Sequence, residues 1–139
     1  MRWDRGEYWL TDEREHMDVD AVCSLLADTY WAANRPRAML ERSFEHSLCF
    51  VMRRRDRVVG FARAVTDYAT FTWVCDVVVE ERERGKGLGK WMVEILIHHP
   101  VLQTRSQFLA TRDAHGLYER HGFQKTESMK RMPGGMQAF

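Results

Sequence analysis

Residues Arg84-Gly85-Lys86-Gly87-Leu88-Gly89 set three glycines at alternate positions, two of them flanking a lysine, directly after the β-branched and aromatic run Phe71 to Val79. An apolar helical pattern begins at the same place. A strand that enters such a turn and leaves it as a helix presents unpaired backbone N–H groups to an anion. Glycine removes the Cβ that would hold a phosphate off, and the helix N-terminus adds roughly half a positive charge. Gly85 to Lys90 would supply the backbone, Arg84 and Lys86 the charge. Two nucleotide motifs fail here. A dinucleotide fingerprint starting at Gly85 or Gly87 needs glycine where Lys90 or Met92 stands, and a P-loop needs Ser or Thr at Trp91 and glycine at Arg84. A second chemical feature is Asp76, the one carboxylate within the apolar run, where desolvation raises a carboxylate pKa.

The elements that must hold these groups can be read from periodicity. Val19, Val22, Cys23 and Leu26 recur at helical spacing over Asp18 to Asp28, with Asp18 as N-cap. After the loop Thr29 to Pro36, a second helix takes Pro36 in its first turn, capped by Asn34 or Arg35, with Met39, Leu40, Ser43 and Phe44 inward. Leu48 to Met52 and Val58 to Val65 read as a hairpin around Arg53-Arg54-Arg55-Asp56-Arg57, and Phe71 to Val79 as a long central strand. Leu88, Trp91, Met92, Ile95 and Leu96 give a helix stopped by Pro100. Gln107 to Thr111 is a strand, Ala114 to His121 a short helix ended by Gly122, and Phe123 to Met132 one or two closing strands. Residues 1–17 and 133–139 carry no assignment.

The chain of 139 residues suits one domain over 1–139. A net charge of +1 gives no global field for nucleic acid or an anionic membrane, so any anion site must be local. The Arg53 to Arg57 run reads as a charged hairpin tip that needs no ligand. Cys23, Cys49 and Cys75 are odd in number and embedded in apolar stretches, which fits buried thiols in the cytoplasm. Residues 1–16 are too charged for a signal peptide, and no apolar run reaches the roughly 20 residues of a membrane span. Cys75 lacks a neighbouring base that would make it a nucleophile. The six histidines show no metal-ligand pairing, and no metal is expected.

Arg84-x-x-Gly87-x-Gly89 resembles the pyrophosphate loop of the GNAT superfamily of acyl-CoA-dependent N-acyltransferases. Asp113 to Phe123, a helix carrying Tyr118 just before Gly122-Phe123, is similar to that family's second signature, and the element order matches as well. The resemblance implies an α/β (α+β) fold: a mixed, mostly antiparallel sheet, splayed where acyl-CoA enters, with about four helices. It implies acetyl-CoA as cosubstrate, bound by Val77, Val78 and Val79 through backbone, by Arg84 to Lys90, and by Asp113 and Tyr118. Asp113 stands where the family often has asparagine.

On that resemblance Tyr118 is the residue that hydrogen-bonds the departing CoA sulfur. An alkylamine acceptor near pKa ~10.4 must lose a proton before it attacks. Asp76 is the candidate base, with Glu80 and Glu81 as alternatives; a structural Asp76 held by backbone or an arginine is the competing reading. Tyr30, Trp31 and Trp73 fall where the family forms its acceptor cleft, and could equally fill core. The expected activity is acetyl transfer to a primary amine, small molecule or peptide, by direct attack in a ternary complex, without nucleic acid or membrane partners. The alternative is a non-catalytic acyl-CoA-binding module of the same fold. The acceptor, the acyl chain and the oligomeric state, monomer or homodimer, stay open.

Overall fold

Gly6 takes a left-handed backbone, φ 61°, and with Glu7 turns Arg2–Arg5 (β1) back on Tyr8–Thr11 (β2) as an antiparallel hairpin. No element is expected there from the helical and strand patterns above. The signal is faint: Trp3 stands between polar residues, but Tyr8, Trp9 and Leu10 are continuous, so only the glycine between the two short runs marks the turn. The computed structural model, which describes residues 1–134, continues with helices α1 (Val19–Ala27) and α2 (Arg37–Glu45). Strands β3 (Leu48–Arg54), β4 (Arg57–Thr66) and β5 (Phe71–Val79) follow, then α3 (Leu88–Ile97), β6 (Ser106–Leu109) and α4 (His115–Glu119).

The sheet runs β1-β2-β3-β4-β5-β6 in chain order, antiparallel except for the parallel pair β5 and β6. This is the mixed, mostly antiparallel sheet with four α-helices that was expected. Asp18 caps α1 by accepting the Ala21 N–H at 3.1 Å. The second cap differs from expectation: Pro36 itself is the N-cap of α2, and its ring offers no acceptor for a side-chain bond. Phe123 to Met132 forms no strand. Gln124 to Arg131 are all exposed, so the segment has no alternate apolar row to bury against the sheet. No helix among the described residues is long and apolar enough to cross a membrane.

Helices cover the two faces unequally. Leu88, Met92 and Leu96 of α3 pack with Val74, Val77 and Val79, while α1 and α2 cover Val51, Phe61 and Val78 through Val22, Leu26, Leu40 and Phe44. Each such side chain contributes about 1.5–3 kcal/mol on full burial. The face of β5 that carries Phe71 and Trp73 runs past α1 and α2, which leaves both partly exposed, along with Phe108 of β6.

The N-terminal hairpin meets the glycine turn through Glu83, which is 2% exposed. Its carboxylate accepts from Tyr8 Oη at 2.6 Å, Lys86 Nζ at 2.9 Å, Arg57 Nη2 at 2.9 Å and Arg54 Nη1 at 3.1 Å. Those bonds, from Tyr8 first and Lys86 next, hold its pKa at about 2. The rest of the Arg53–Arg57 tip is also paired, Arg54 and Arg55 with Glu7, and Arg57 with Glu80. The tip is therefore a brace.

Because the folded value lies below the ordinary 4.5, Glu83 contributes fully above pH 4.5 and loses that contribution as pH falls toward about 2. Glu83→Gln is expected to lower the melting temperature at neutral pH and to flatten its decline across that window. Circular dichroism melts at a series of acidic pH values check this, and a pH slope equal to the parent's refutes it.

Candidate active site

β6 follows β5 for four residues only, pairing Phe71 with Ser106 through Val74 with Leu109, while β5 continues to Val79. Beyond Val74 the β6-facing edge of β5 is unpaired among the described residues. The Glu80 N–H donates to Val59 on β4 at 2.8 Å, so by alternation the N–H of Val79 and of Val77 point the other way, into the gap. Val78 points its N–H at β4 and buries its side chain under α1 and α2. Of the three valines expected to meet pantetheine, two therefore present backbone to the wedge and the third does not.

A bulge widens this opening. Phe61 pairs with Val78 and Arg63 with Cys75, so Asp76 and Val77 together face the single residue Ala62. Asp76 sits at φ 55°, in the left-handed region. The extra residue bends the strand and raises its local twist just past the point where β6 departs.

The turn after β5 is built as its glycines suggest. Arg84 folds back and donates from Nε to the Val79 carbonyl at 2.9 Å, which ends the strand and starts the loop. Gly85 and Gly87 hold φ 81° and 76°, values that any L side chain would strain, and Gly87 is the N-cap of α3. Gly89 lies against β5, where a Cβ would make only ordinary contact, 3.8 Å, with the Val79 side chain, so neither its space nor its backbone requires glycine. The first helical bond is Trp91 N–H to the Gly87 carbonyl, so among the described residues the N–H groups of Leu88, Gly89 and Lys90 have no acceptor. Beside the wedge, that bare helix end is suited to a diphosphate. Lys86, expected to meet phosphate, is instead turned to Glu83 and Tyr8. Lys90 remains exposed on the first turn. Arg5 was not foreseen: it donates to the Gly87 carbonyl at 3.3 Å and reaches over Trp91, bracing the loop from β1.

Tyr118 lies across the wedge, 8% exposed, packed with Val77, Leu109, Val93 and Ile97, and meets Phe123 edge-on. Its phenol pKa is raised, chiefly by burial and then by Asp113 and Tyr30. Asp113 does not cap α4, since Thr111 Oγ1 accepts the Ala114 N–H at 3.0 Å. Tyr118 and Trp73 also border a cavity of about 800 Å³ between β6 and the irregular segment after Gly122. That cavity excludes the glycine turn. Backbone donors, not volume, make the wedge the better seat for a phosphate-tailed ligand.

Asp76 is where expectation and geometry part. It is 4% exposed, as its strand position implies, and its two oxygens take bonds from Arg35 Nη1 at 2.9 and 3.0 Å, Arg63 Nε at 2.9 Å and Trp31 Nε1 at 3.1 Å. Both carboxylate oxygens are thus already taken by two guanidinium groups and an indole N–H rather than turned to an acceptor amine. The competing structural reading fits Asp76 better than the catalytic one. The alternatives fare no better: Glu80 is paired with Arg57 and Arg82, and Glu81 is exposed.

Around this ion cluster stand the residues expected in the acceptor cleft. The Thr29 hydroxyl donates to the Leu26 carbonyl and accepts the Ala32 N–H, which fixes the loop bearing Tyr30 and Trp31. Trp31 touches Asp76, Tyr30 packs edge-on against Trp31 at 5.0 Å, and Trp73 is exposed beside Phe108. Metal-competent side chains gather once among the described residues, at Glu13, Glu15 and His16, none of which lines the cavity.

Known proteins agree with this architecture. A protein of Gibberella zeae, provisionally named an acetyltransferase, is 28% identical over 116 residues, 69% of this chain and 66% of that relative. The chain thus spans just under two thirds of that relative's length. A crystal structure from Xanthomonas campestris pv. campestris, provisionally assigned to the GNAT acetyltransferases, is 37% identical, with a TM-score of 0.85 over 91% of this chain and 94% of the other. One from Deinococcus radiodurans, 18% identical, superposes with a TM-score of 0.74 over 95% of each chain and speaks for the fold alone. The family model described as "Acetyltransferase (GNAT) domain" matches residues 45–125, more than half of the chain, and spans β3 through α4. The chain belongs to the GNAT acetyltransferase family.

Proposed function

We propose that this protein is an N-acetyltransferase that carries an acetyl group from acetyl-CoA to a primary amine by direct attack within a ternary complex. The observation that carries the reading is the unpaired edge at Val77 and Val79, which opens between the bare N-terminus of α3 and the Tyr118 ring. The diphosphate lies on Gly85 to Lys90 with Arg84 beside it, and the pantetheine arm runs along the β5 edge. The three free cysteines favour a reducing compartment, the cytoplasm.

The amine lone pair forms the C–N bond at the thioester carbonyl carbon, and the C–S bond breaks as the thiolate departs. A backbone N–H at the wedge stabilises charge on the carbonyl oxygen. Tyr118 faces the sulfur as a hydrogen-bond donor. A phenol at its usual value of about 10 is already a weaker acid than a thiol at about 8.5, and burial widens the gap, so stabilising the thiolate outweighs full proton transfer. The attacking nitrogen loses its proton to solvent, since the nearby carboxylates are engaged by arginines or lie in water. One observation favours a second reading: with Asp76 neutralised, the site lacks an evident base, as a non-catalytic acyl-CoA-binding module would.

Calorimetry with acetyl-CoA, followed by release of free thiol with candidate amines, tests both readings. Binding with turnover supports the enzyme, binding without turnover the module, and absence of binding removes both. Tyr118→Phe is expected to lower kcat by about 10²- to 10⁴-fold with little change in acetyl-CoA affinity; unchanged turnover ends its role. With an amine near pKa ~10.4, kcat/KM should climb about tenfold per pH unit from pH ~6 upward, and a plateau below neutrality would reveal a protein base. Asp76→Asn tolerates the left-handed backbone but leaves two guanidinium groups without their counter-ion. It is expected to cost about 2–4 kcal/mol in chemical denaturation while sparing the pH dependence of turnover in the folded variant.

A further inference from the structure

Arg112, in the loop between β6 and α4, stacks its guanidinium on the Tyr30 ring at 3.7 Å from the centroid. It has no carboxylate partner among the described residues, and its neighbour Asp113 forms no ion pair with it. Tyr30 leads directly to Trp31, and Trp31 to the Asp76 cluster. Within that cluster two arginines share one carboxylate. Arg63 spends a further donor on the Ser47 hydroxyl at 2.8 Å, whereas Arg35 uses only Nη1 and keeps Nε and Nη2 without an acceptor among the described residues. Arg35 is also the more exposed of the two, at 29% against 13%.

The excess charge is therefore positive. Asp76 offsets one of its two arginines, and no carboxylate among the described residues pairs with Arg112, so at the Tyr30–Trp31 pair an acceptor would meet guanidinium groups, with Asp113 the negative charge nearer Tyr118. Arg112 stacks on Tyr30, whose electrostatic effect reaches Tyr118, and Arg35 joins the same aromatic pair through Asp76 and Trp31. Stacking on Tyr30 holds the Arg112 plane, and the bond to Asp76 holds that of Arg35, so each fork is oriented before a ligand arrives.

We propose that the acceptor is a small amine bearing its own anionic group, a carboxylate or phosphate, gripped by Arg112 and Arg35 across the Tyr30–Trp31 pair. This deepens the acetyltransferase reading and rests on it. An anion so held would set the amine end toward Tyr118 and the thioester, and the aromatic pair would flank the connecting carbons.

The test uses protein saturated with CoA, so binding is read without turnover. Calorimetry compares O-phosphoethanolamine with ethanolamine, and β-alanine with its amide, pairs that differ chiefly in the anion. At least one anionic member should bind about tenfold or more tightly than its uncharged-end partner, and which pair shows the difference identifies phosphate or carboxylate. Arg112→Gln should reduce that preference to less than about threefold with acetyl-CoA affinity unchanged, and Arg112→Lys should restore part of it. Equal affinities within both pairs, an undiminished preference in Arg112→Gln, or no anionic member binding below about 10 mM overturns the proposal. Loss of acetyl-CoA binding by the parent protein would instead strike the acetyltransferase reading, so the two failures are distinct.

Discussion

One left-handed residue in the middle of a strand, Asp76 at φ 55°, sets the geometry on which the site depends. A non-glycine residue there costs about 1–3 kcal/mol and persists only where its surroundings determine it. Here they do: Arg35 and Trp31 from the loop between α1 and α2, and Arg63 from β4, fix the carboxylate. The bulge also resets parity. Asp76 and Val78 face α1 and α2, while Val77 and Val79 return to the α3 face and turn their N–H groups to the open edge. Without the extra residue, alternation would carry Val77 to the wrong face and the wedge would lose its donors.

A wedge needs a stiff rim as well as an opening. The glycines that expose the phosphate-facing amides also give the turn its largest conformational entropy, and an unbraced loop would lose much of its binding energy in ordering. Glu83 answers this from below. It ties Lys86 to Tyr8 of β2 and to Arg54 and Arg57 at the β3–β4 tip, while Arg5 grips the Gly87 carbonyl from β1. The cost is that Lys86 turns to Glu83 and Tyr8, so the proposed diphosphate would be met by Arg84, Lys90 and the helix end.

Local signals carried much of this. The strand Phe71–Val79, the start of α3 at Leu88, the Asp18 cap and the glycine turn are all written in neighbouring residues, and the family signatures lie in two short motifs. What stayed hidden depends on distant partners. Asp76 is 41 residues from Arg35 and 13 from Arg63, and no window joins them. Glu83 lies 75 residues from Tyr8, so its burial could not be told from the exposure of Glu81, two positions away in the same charged run. Phe123 to Met132 misled in the opposite direction: aromatic and methionine ends suggested a strand, but the eight exposed residues between them offer a sheet no apolar row.

The same buried cluster ties chemistry to recognition. A free Asp76 would have suited a cationic amine twice over, as base and as counter-charge, and would have made the strand strained and charged at once. Bonded by Arg63 and Arg35 it is placed for neither, and Arg35, 29% exposed, uses only Nη1 on it. Deprotonation is then governed by the amine and the solvent, and positive charge at the acceptor side favours nitrogen lone pairs over ammonium ions. On the proposed reading, an arginine-rich cleft would promote attack in two ways: it would draw the anionic end of the acceptor inward, and it would lower the affinity of the nearby nitrogen for its proton.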